Sequence, residues 1–378
     1  MSTSADDMPA AETDSSVYEA AARFVELLGA AGASNCVSNL VLEHMSATGL
    51  DQTLPMSVSD KHDAPTCYLC CPTVAYLDYA REELRTLGHR PLLTASMNIL
   101  LSAISPVMRA TGFDHQVQPN NWLLATNIGH PSDVNAIRRI TATLIQDWPG
   151  RAIVWRSLND VSDRRTLHAF AQCDYHLFPA RQVYLFDCRT SAPRMHRDEK
   201  RDIALLDASR WQLVTPDTMK RGDFDRITAL YGKLYLEKYT CLNPHYTPFF
   251  IEKLHELGLL SFFGLRNTAG TLDGAIGFFE HGEVMTAPIV GYETALPQDN
   301  GLYRQLMAIA LRRARNRHML FNMSAGAARF KLNRGASGAI EYTAVFNKHL
   351  PLRTRLSSWL IRRALNDIAV PIIKKYQL

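Results

Sequence analysis

The sequence has no run of about 18 consecutive apolar residues, so no segment is expected to cross a bilayer as a helix. Its opening, MSTSADDMPAAETDSS, lacks the basic and apolar regions of a signal peptide, and a cytoplasmic protein is expected. Cysteines are sparse and odd in number, seven in 378 residues, which fits reduced thiols better than a disulfide framework. Cys67, Cys70 and Cys71 form a C-x-x-C-C cluster with no second pair at zinc-ligand spacing. Their apolar company predicts a buried strand, and no metal is expected. P-loop, H-E-x-x-H and G-x-G-x-x-G patterns are missing, which argues against nucleotide hydrolysis, zinc proteolysis and dinucleotide chemistry. Charge of neither sign dominates. A net charge of +4 permits an acidic partner without demanding one.

What is present describes a folded chain, 47% hydrophobic and 21% charged. Its length exceeds that of one ordinary core, so two domains are expected. Residues 1–15 are small, polar and acidic and read as a disordered leader, with the first helix starting near Ser16. Apolar runs and amphipathic segments then alternate. The spacing predicts strands at 68–71, 152–155 and 182–186, and helices over 74–87, 134–148 and 164–171. Interleaved helices and strands are an α/β (α+β) pattern. The charged stretch APRMHRDEKRD marks a junction, dividing an N-terminal domain (16–195) from a C-terminal one (196–378). His196, Arg197, Lys200 and Arg201 there suit either a solvated helix start or a phosphate contact.

The second half repeats the alternation. Helices are predicted from 224 to 234, after a Thr247-Pro248 cap, and from Gly301 to about Arg317. Strands are predicted at 260–265, 274–280, 284–292, 319–323 and 340–346. Gln298, Asp299, Asn300 and Gly301 lead into a helix whose free N–H groups and positive dipole end suit a pyrophosphate or a carboxylate. A last helix over 350–368 is expected to pack Leu352, Leu356, Trp359 and Leu360 inward. Arg353, Arg355, Arg362 and Arg363 would then form a basic surface able to receive an acidic carrier protein.

This strand, turn, helix and strand order, with Q-x-x-G at the helix start, resembles the acyl-CoA-binding core of the GNAT superfamily. The double-domain branch, which includes Fem-type aminoacyl transferases, is the nearer likeness. Asn322, Ser324, Ala325, Gly326, Phe330, Lys331, Arg334 and Gly335 match that branch's small-residue turn and basic hairpin. Tyr303 departs from the pattern, standing where a second small residue is usual. The resemblance implies two GNAT-like domains, each a mixed central sheet flanked by helices, with the chemistry in the second.

It also implies an N-acyltransferase that takes an acyl-CoA or acyl-carrier-protein thioester as co-substrate and a small-molecule amine as acceptor. A base takes the amine proton, backbone N–H groups polarise the carbonyl, and an acid serves the leaving group. Glu280 and Glu293 are the candidate bases, Tyr292 and Tyr303 the candidate acids, and Asn322 and Ser324 orient the substrate. Gln298, Asn300, Gly301, Leu302, Lys331 and Arg334 would hold the donor. Aminoacyl-tRNA is the less favoured donor, because no heptad-bearing arm is visible. A non-catalytic ligand-binding scaffold stays open. Asn322-Met323-Ser324-Ala325-Gly326 approaches the G-x-S-x-G nucleophile elbow but lacks its first glycine.

Overall fold

The computed structural model describes residues 12–47, 53–60, 66–86, 91–190 and 194–376. Most of the expected leader lies outside them, and helix α1 (Glu12–Ala31) already begins at Glu12, burying Ala21, Phe24 and Leu28. After the short α2 (Ala33–Cys36) come strands β1 (His44–Ala47) and β2 (Pro55–Ser59). The cysteine cluster follows as a buried turn, a correction to the expected strand. Polar partners explain the turn: Cys71 Sγ and Thr73 N both donate to Asp114 Oδ1. A π-helical turn at Val74–Asp78 leads into α3 (Tyr79–Thr86), followed by α4 (Pro91–Ala110) and β3 (Gln116–Pro119).

Helix α5 (Val134–Asp147) forms where periodicity predicts it, and Asp133 caps its N-terminus by accepting from Ala136 N. β4 (Ala152–Asn159), α6 (Arg164–Gln172) and β5 (His176–Asp187) complete the first half. The second half contains α7 (Arg197–Asp207), β6 (Gln212–Val214) and α8 (Arg221–Tyr231), then α9 (Pro248–Glu256), whose expected Thr247 cap accepts from Phe250 N at 3.2 Å. Next are β7 (Ser261–Arg266), β8 (Leu272–His281), β9 (Val284–Tyr292), α10 (Leu302–Asn316) and β10 (Leu320–Asn322). α11 (Ala328–Leu332), β11 (Ser337–Phe346), α12 (Leu352–Ala364) and α13 (Val370–Tyr376) end the chain.

The strands form one mixed sheet in the order β1-β2-β3-β4-β11-β5-β10-β9-β8-β7-β6. The same series of pairings runs outward on both sides of the antiparallel β11–β5 pair. On one side β4 is antiparallel to β11 and parallel to β3, and the antiparallel β2 and β1 follow. On the other, β10 is antiparallel to β5 and parallel to β9, followed by the antiparallel β8, β7 and β6. Each half therefore sends one strand across: β5 pairs with the second half's β10, and β11 pairs with the first half's β4. Helices cover both faces. In the second half α7 and α10 pack on one face, and α1, α8 and α9 on the other.

α12 corrects a second expectation. Thr354, Ser357, Ser358 and Ile361 face inward, while Leu352, Leu356, Trp359 and Leu360 are exposed. The cover available to α12 is α4 and the edge of a cavity, so hydroxyls that bond back to the helix's own carbonyls, as Ser358 Oγ does to Thr354 O at 2.6 Å, fill the tight contact.

Candidate functional site

β9 and β10 run parallel over only three residue pairs, ending at Thr286 and Asn322. Immediately beyond lies a β-bulge. On β8, Gly277 opposes Ile289 and Phe279 opposes Thr286, so Ala287 and Pro288 together face the single Phe278. The extra residue bends β9 away from β10. Proline suits the bend because it has no N–H to give to a ladder. β9 then runs on to Tyr292 with no strand on its β10 side among the described residues, leaving a fork edged by backbone polar groups. Gly291 sits where α8 crosses behind β9. A Cβ there would lie 2.5 Å from Leu230 C and Tyr231 N. Next to this crossing, α8 passes into a π-helical turn at Gly232–Glu237, a geometry that often accompanies function.

The fork gathers part of the expected set. Tyr292 and Tyr303 lie 6.1 Å apart between ring centroids, and Tyr303 is 5.0 Å from Phe330. Burial raises the Tyr303 phenol well above its ordinary value, so its O–H stays a donor. Asn322 ends β10 and accepts from Ser324 N at 2.9 Å, holding Ser324 at φ 60°. Ser324 precedes only the five-residue α11, not the long helix of a nucleophile elbow.

Lys331 and Arg334, expected to hold the donor, are buried and engaged by the protein's own groups. Lys331 Nζ donates to the carbonyls of Met323, Ser324 and Ala325 at 2.7, 3.0 and 2.8 Å, tying down the loop after β10. Burial first, and Arg181 next, lower its pKa to about 7. Arg334 stacks on Phe330 and donates Nε to Asp202 at 2.6 Å.

The helix start at α10 is closely packed. Gly301 is left-handed at φ 61°, and a Cβ on it would meet Leu205 Cδ2 at 2.6 Å. Leu302 places its side chain in the core, leaving only its backbone to a ligand. Asn300 Oδ1 accepts from Arg210 and its carbonyl from Gln305, while Gln298 is exposed.

The two carboxylates sit apart from the tyrosines in role. Glu293 takes a hydrogen bond from Lys233 at 2.6 Å and another from Arg226 at 3.0 Å, and Lys233 above all lowers its pKa to about 2. Such a carboxylate is a poor proton acceptor at neutral pH. Glu280 lies at the other end of β8, paired with Arg313 and Arg317.

Residues that the sequence did not single out form a second feature. A cavity of about 250 Å³ lies between the sheet and the helices α3, α4, α12 and α13. Its walls are mostly apolar, and its sheet end carries Arg156, Arg181, Glu341 and Gln116. Arg181 and Glu341 form a bidentate pair at 2.8 and 3.2 Å. Gln116 is buried and its Oε1 has no partner among the described residues. Tyr68 and Tyr79, 5.2 Å apart, stand at this end. Tyr79 O–H donates to Asn243, whose amide in turn donates to the backbone carbonyl of Tyr235. Arg194, His196, Arg197, Lys200 and Arg201 line a separate open groove at the start of α7.

Among the described residues no helix is long and apolar enough to cross a membrane. No family model and no curated protein matches the sequence. Among solved structures the chain is similar to L-PGS from Bacillus licheniformis, at 13% identity over 61% of this chain and 79% of that one, with a TM-score of 0.43. It is similar to FemX at 7% identity, over 65% and 83%, with a TM-score of 0.46. A GCN5-related N-acetyltransferase from Kribbella flavida is similar at 10% identity, over 62% and 82%, with a TM-score of 0.32.

Proposed function

We propose that the chain is an acyl-group transferase that moves an acyl group from a thioester to an amine at the fork between β9 and β10. The bulge at Ala287 and Pro288 carries this reading, because it opens the parallel β9–β10 pair where their pairing stops and bares an edge of buried strand backbone. Attack by an amine on a thioester carbonyl puts negative charge on one oxygen. Fixed backbone N–H donors stabilise that charge without reorganising. The C–N bond forms as the C–S bond breaks, the amine proton passes to solvent, and the thiolate is protonated as it leaves. Tyr303, kept neutral by burial, is the hydrogen-bond donor assigned to the leaving sulfur. Asn322 and the Lys331-anchored loop shape the opposite wall. The division at 195/196 belongs to this reading: residues 196–378 carry the reaction, and residues 16–195 supply the strand β5 and the cavity.

The test offers acyl-CoA and acyl-carrier-protein thioesters with a panel of amines and follows thiol release. Thiol release that depends on the amine and is lost in Asn322→Ala at unchanged melting temperature supports the reading. Transfer from aminoacyl-tRNA alone would replace the donor. No transfer from any of them would leave a binding scaffold.

A further inference from the structure

Helix α12 presents Leu352, Leu356, Trp359 and Leu360 to solvent at 76, 61, 46 and 45% exposure. At 100° per residue they fall within an arc of roughly 100°. Arg355 and Arg362 border one edge of that arc, and Arg353 the other. Residues 352–376 carry six Lys or Arg against one Asp, in a chain whose net charge is only +4. Arg353 and Arg355 have no ion-pair partner among the described residues. α4, which packs beside α12, has Arg109 as its one charged residue and exposes Ile99 at 72%. Arg363 falls inside the arc, stacked on Trp359 and paired with Asp367 at 3.2 Å, so the exposed face of α12 is apolar with cations at its edges and one within it, and Asp367 is the one carboxylate of residues 352–376. That is the pattern of a helix lying in the plane of an anionic bilayer surface.

The cavity lies directly behind this face. Ile361, Leu365, Ile368 and Ile372, on α12 and the turns after it, form part of its wall. Ile368, a wall residue, is also 40% exposed, which puts the cavity wall at the surface beside α12. The sheet end holds the Arg181–Glu341 pair and Gln116 Oε1, which has no partner among the described residues, polar groups suited to an ester, amide or hydroxyl head. An apolar cavity with one polar end suits an acyl chain and its head group.

We propose that the α4–α12 face docks on an anionic phospholipid surface and that the cavity behind it receives one acyl chain from that surface. Docking needs no chemistry at the fork, so its test is separate from the transfer assay. The full chain is floated with vesicles of phosphatidylglycerol and phosphatidylcholine, and with phosphatidylcholine alone, at low salt. The chain is expected to float with the anionic vesicles and to lose about fivefold in partition for each of Arg353→Ala and Arg355→Ala. Leu356→Glu should abolish flotation, and all three variants should keep the wild-type melting temperature because the side chains are exposed. Equal flotation with both vesicle types, or flotation indifferent to these variants, overturns the docking face. Capture of an acidic carrier protein without flotation overturns it too, in favour of a protein partner. For the cavity, a fluorescent polyene fatty acid should bind the wild type and be displaced by myristate. Ile104→Trp, which fills the cavity, should remove that signal while flotation persists, and failure of the wild type to bind the probe overturns the acyl-chain assignment.

Discussion

Arg334 places its Nε 2.6 Å from a carboxylate oxygen of Asp202, and both side chains are buried. The other oxygen of the same carboxylate takes Arg304 Nε at 2.6 Å, so Asp202 on α7 ties α10 to the segment after α11. Removing Arg334 leaves the buried Asp202 with Arg304 still in place, so the loss is about 1.5–3 kcal/mol, the worth of a hydrogen bond to a charged group, and falls short of breaking a buried pair outright. Arg334→Ala is therefore expected to lower the unfolding free energy by that amount in a denaturant titration. The double variant Arg334→Ala, Asp202→Ala should lose less than the sum of the two single changes. A normal stability with weakened donor binding would return Arg334 to the donor site.

Glu293 gives the fold a defined pH dependence. Its folded pKa of about 2 lies below the unfolded carboxylate's, so the stabilisation is complete above about pH 4.5 and is lost as pH falls towards 2. With solvent screening discounted, about 2 kcal/mol is expected at neutral pH. Glu293→Gln should be less stable than wild type at pH 7 by that margin, and the two stability curves should converge near pH 2. Parallel curves down to that pH would show that Lys233 and Arg226 contribute nothing net.

Gly291→Ala probes the crossing behind the fork. The added methyl would lie 2.5 Å from backbone atoms of α8, which cannot rotate aside as a flexible side chain would. A loss of roughly 1–3 kcal/mol is expected from overpacking, with transfer activity falling further than stability because β9 is displaced at the fork. Wild-type stability for this variant would mean that α8 yields easily.

Much of the chain was legible because its segments obey one period. α5 and α10 follow the 3.6-residue spacing, and β7, β8 and β9 are aromatic-rich or β-branched runs between turn residues. β2 and β3 went unread because each is short and buried on both faces, so that Met56 and Val58 alternate with the equally buried Ser57 and Ser59, and Val117 stands between Gln116 and Gln118. Asn121 Nδ2 donates to Ser57 Oγ at 2.7 Å and to Gln118 Oε1 at 3.2 Å, bonds that no local sequence signal announces. α12 was read inside out for a related reason: periodicity places the apolar residues on one face but does not say which face is covered. The tyrosines and Asn322 at the fork could be proposed from strand ends. The roles of Lys331 and Arg334 could not, since each is decided by groups far along the chain or by the fold of a loop. Insertion of β11 between β4 and β5 is likewise a long-range pairing that no local signal encodes.

Tyr303→Phe isolates the proposed leaving-group contact. The ring of Tyr303 packs against Tyr292 and Phe330, and phenylalanine keeps that packing, so the melting temperature should not move. What disappears is one neutral O–H donor in a buried place. If that donor meets the departing sulfur, the turnover number should fall by about tenfold to a hundredfold while the Michaelis constants for thioester and amine stay near wild type, because the contact strengthens only as charge develops on sulfur. A thioester whose thiol is more acidic needs less help in leaving, and the deficit of the variant should shrink with it. A deficit that is the same for good and poor leaving groups would take Tyr303 out of that role. A raised Michaelis constant at unchanged turnover would make it a residue that binds substrate instead.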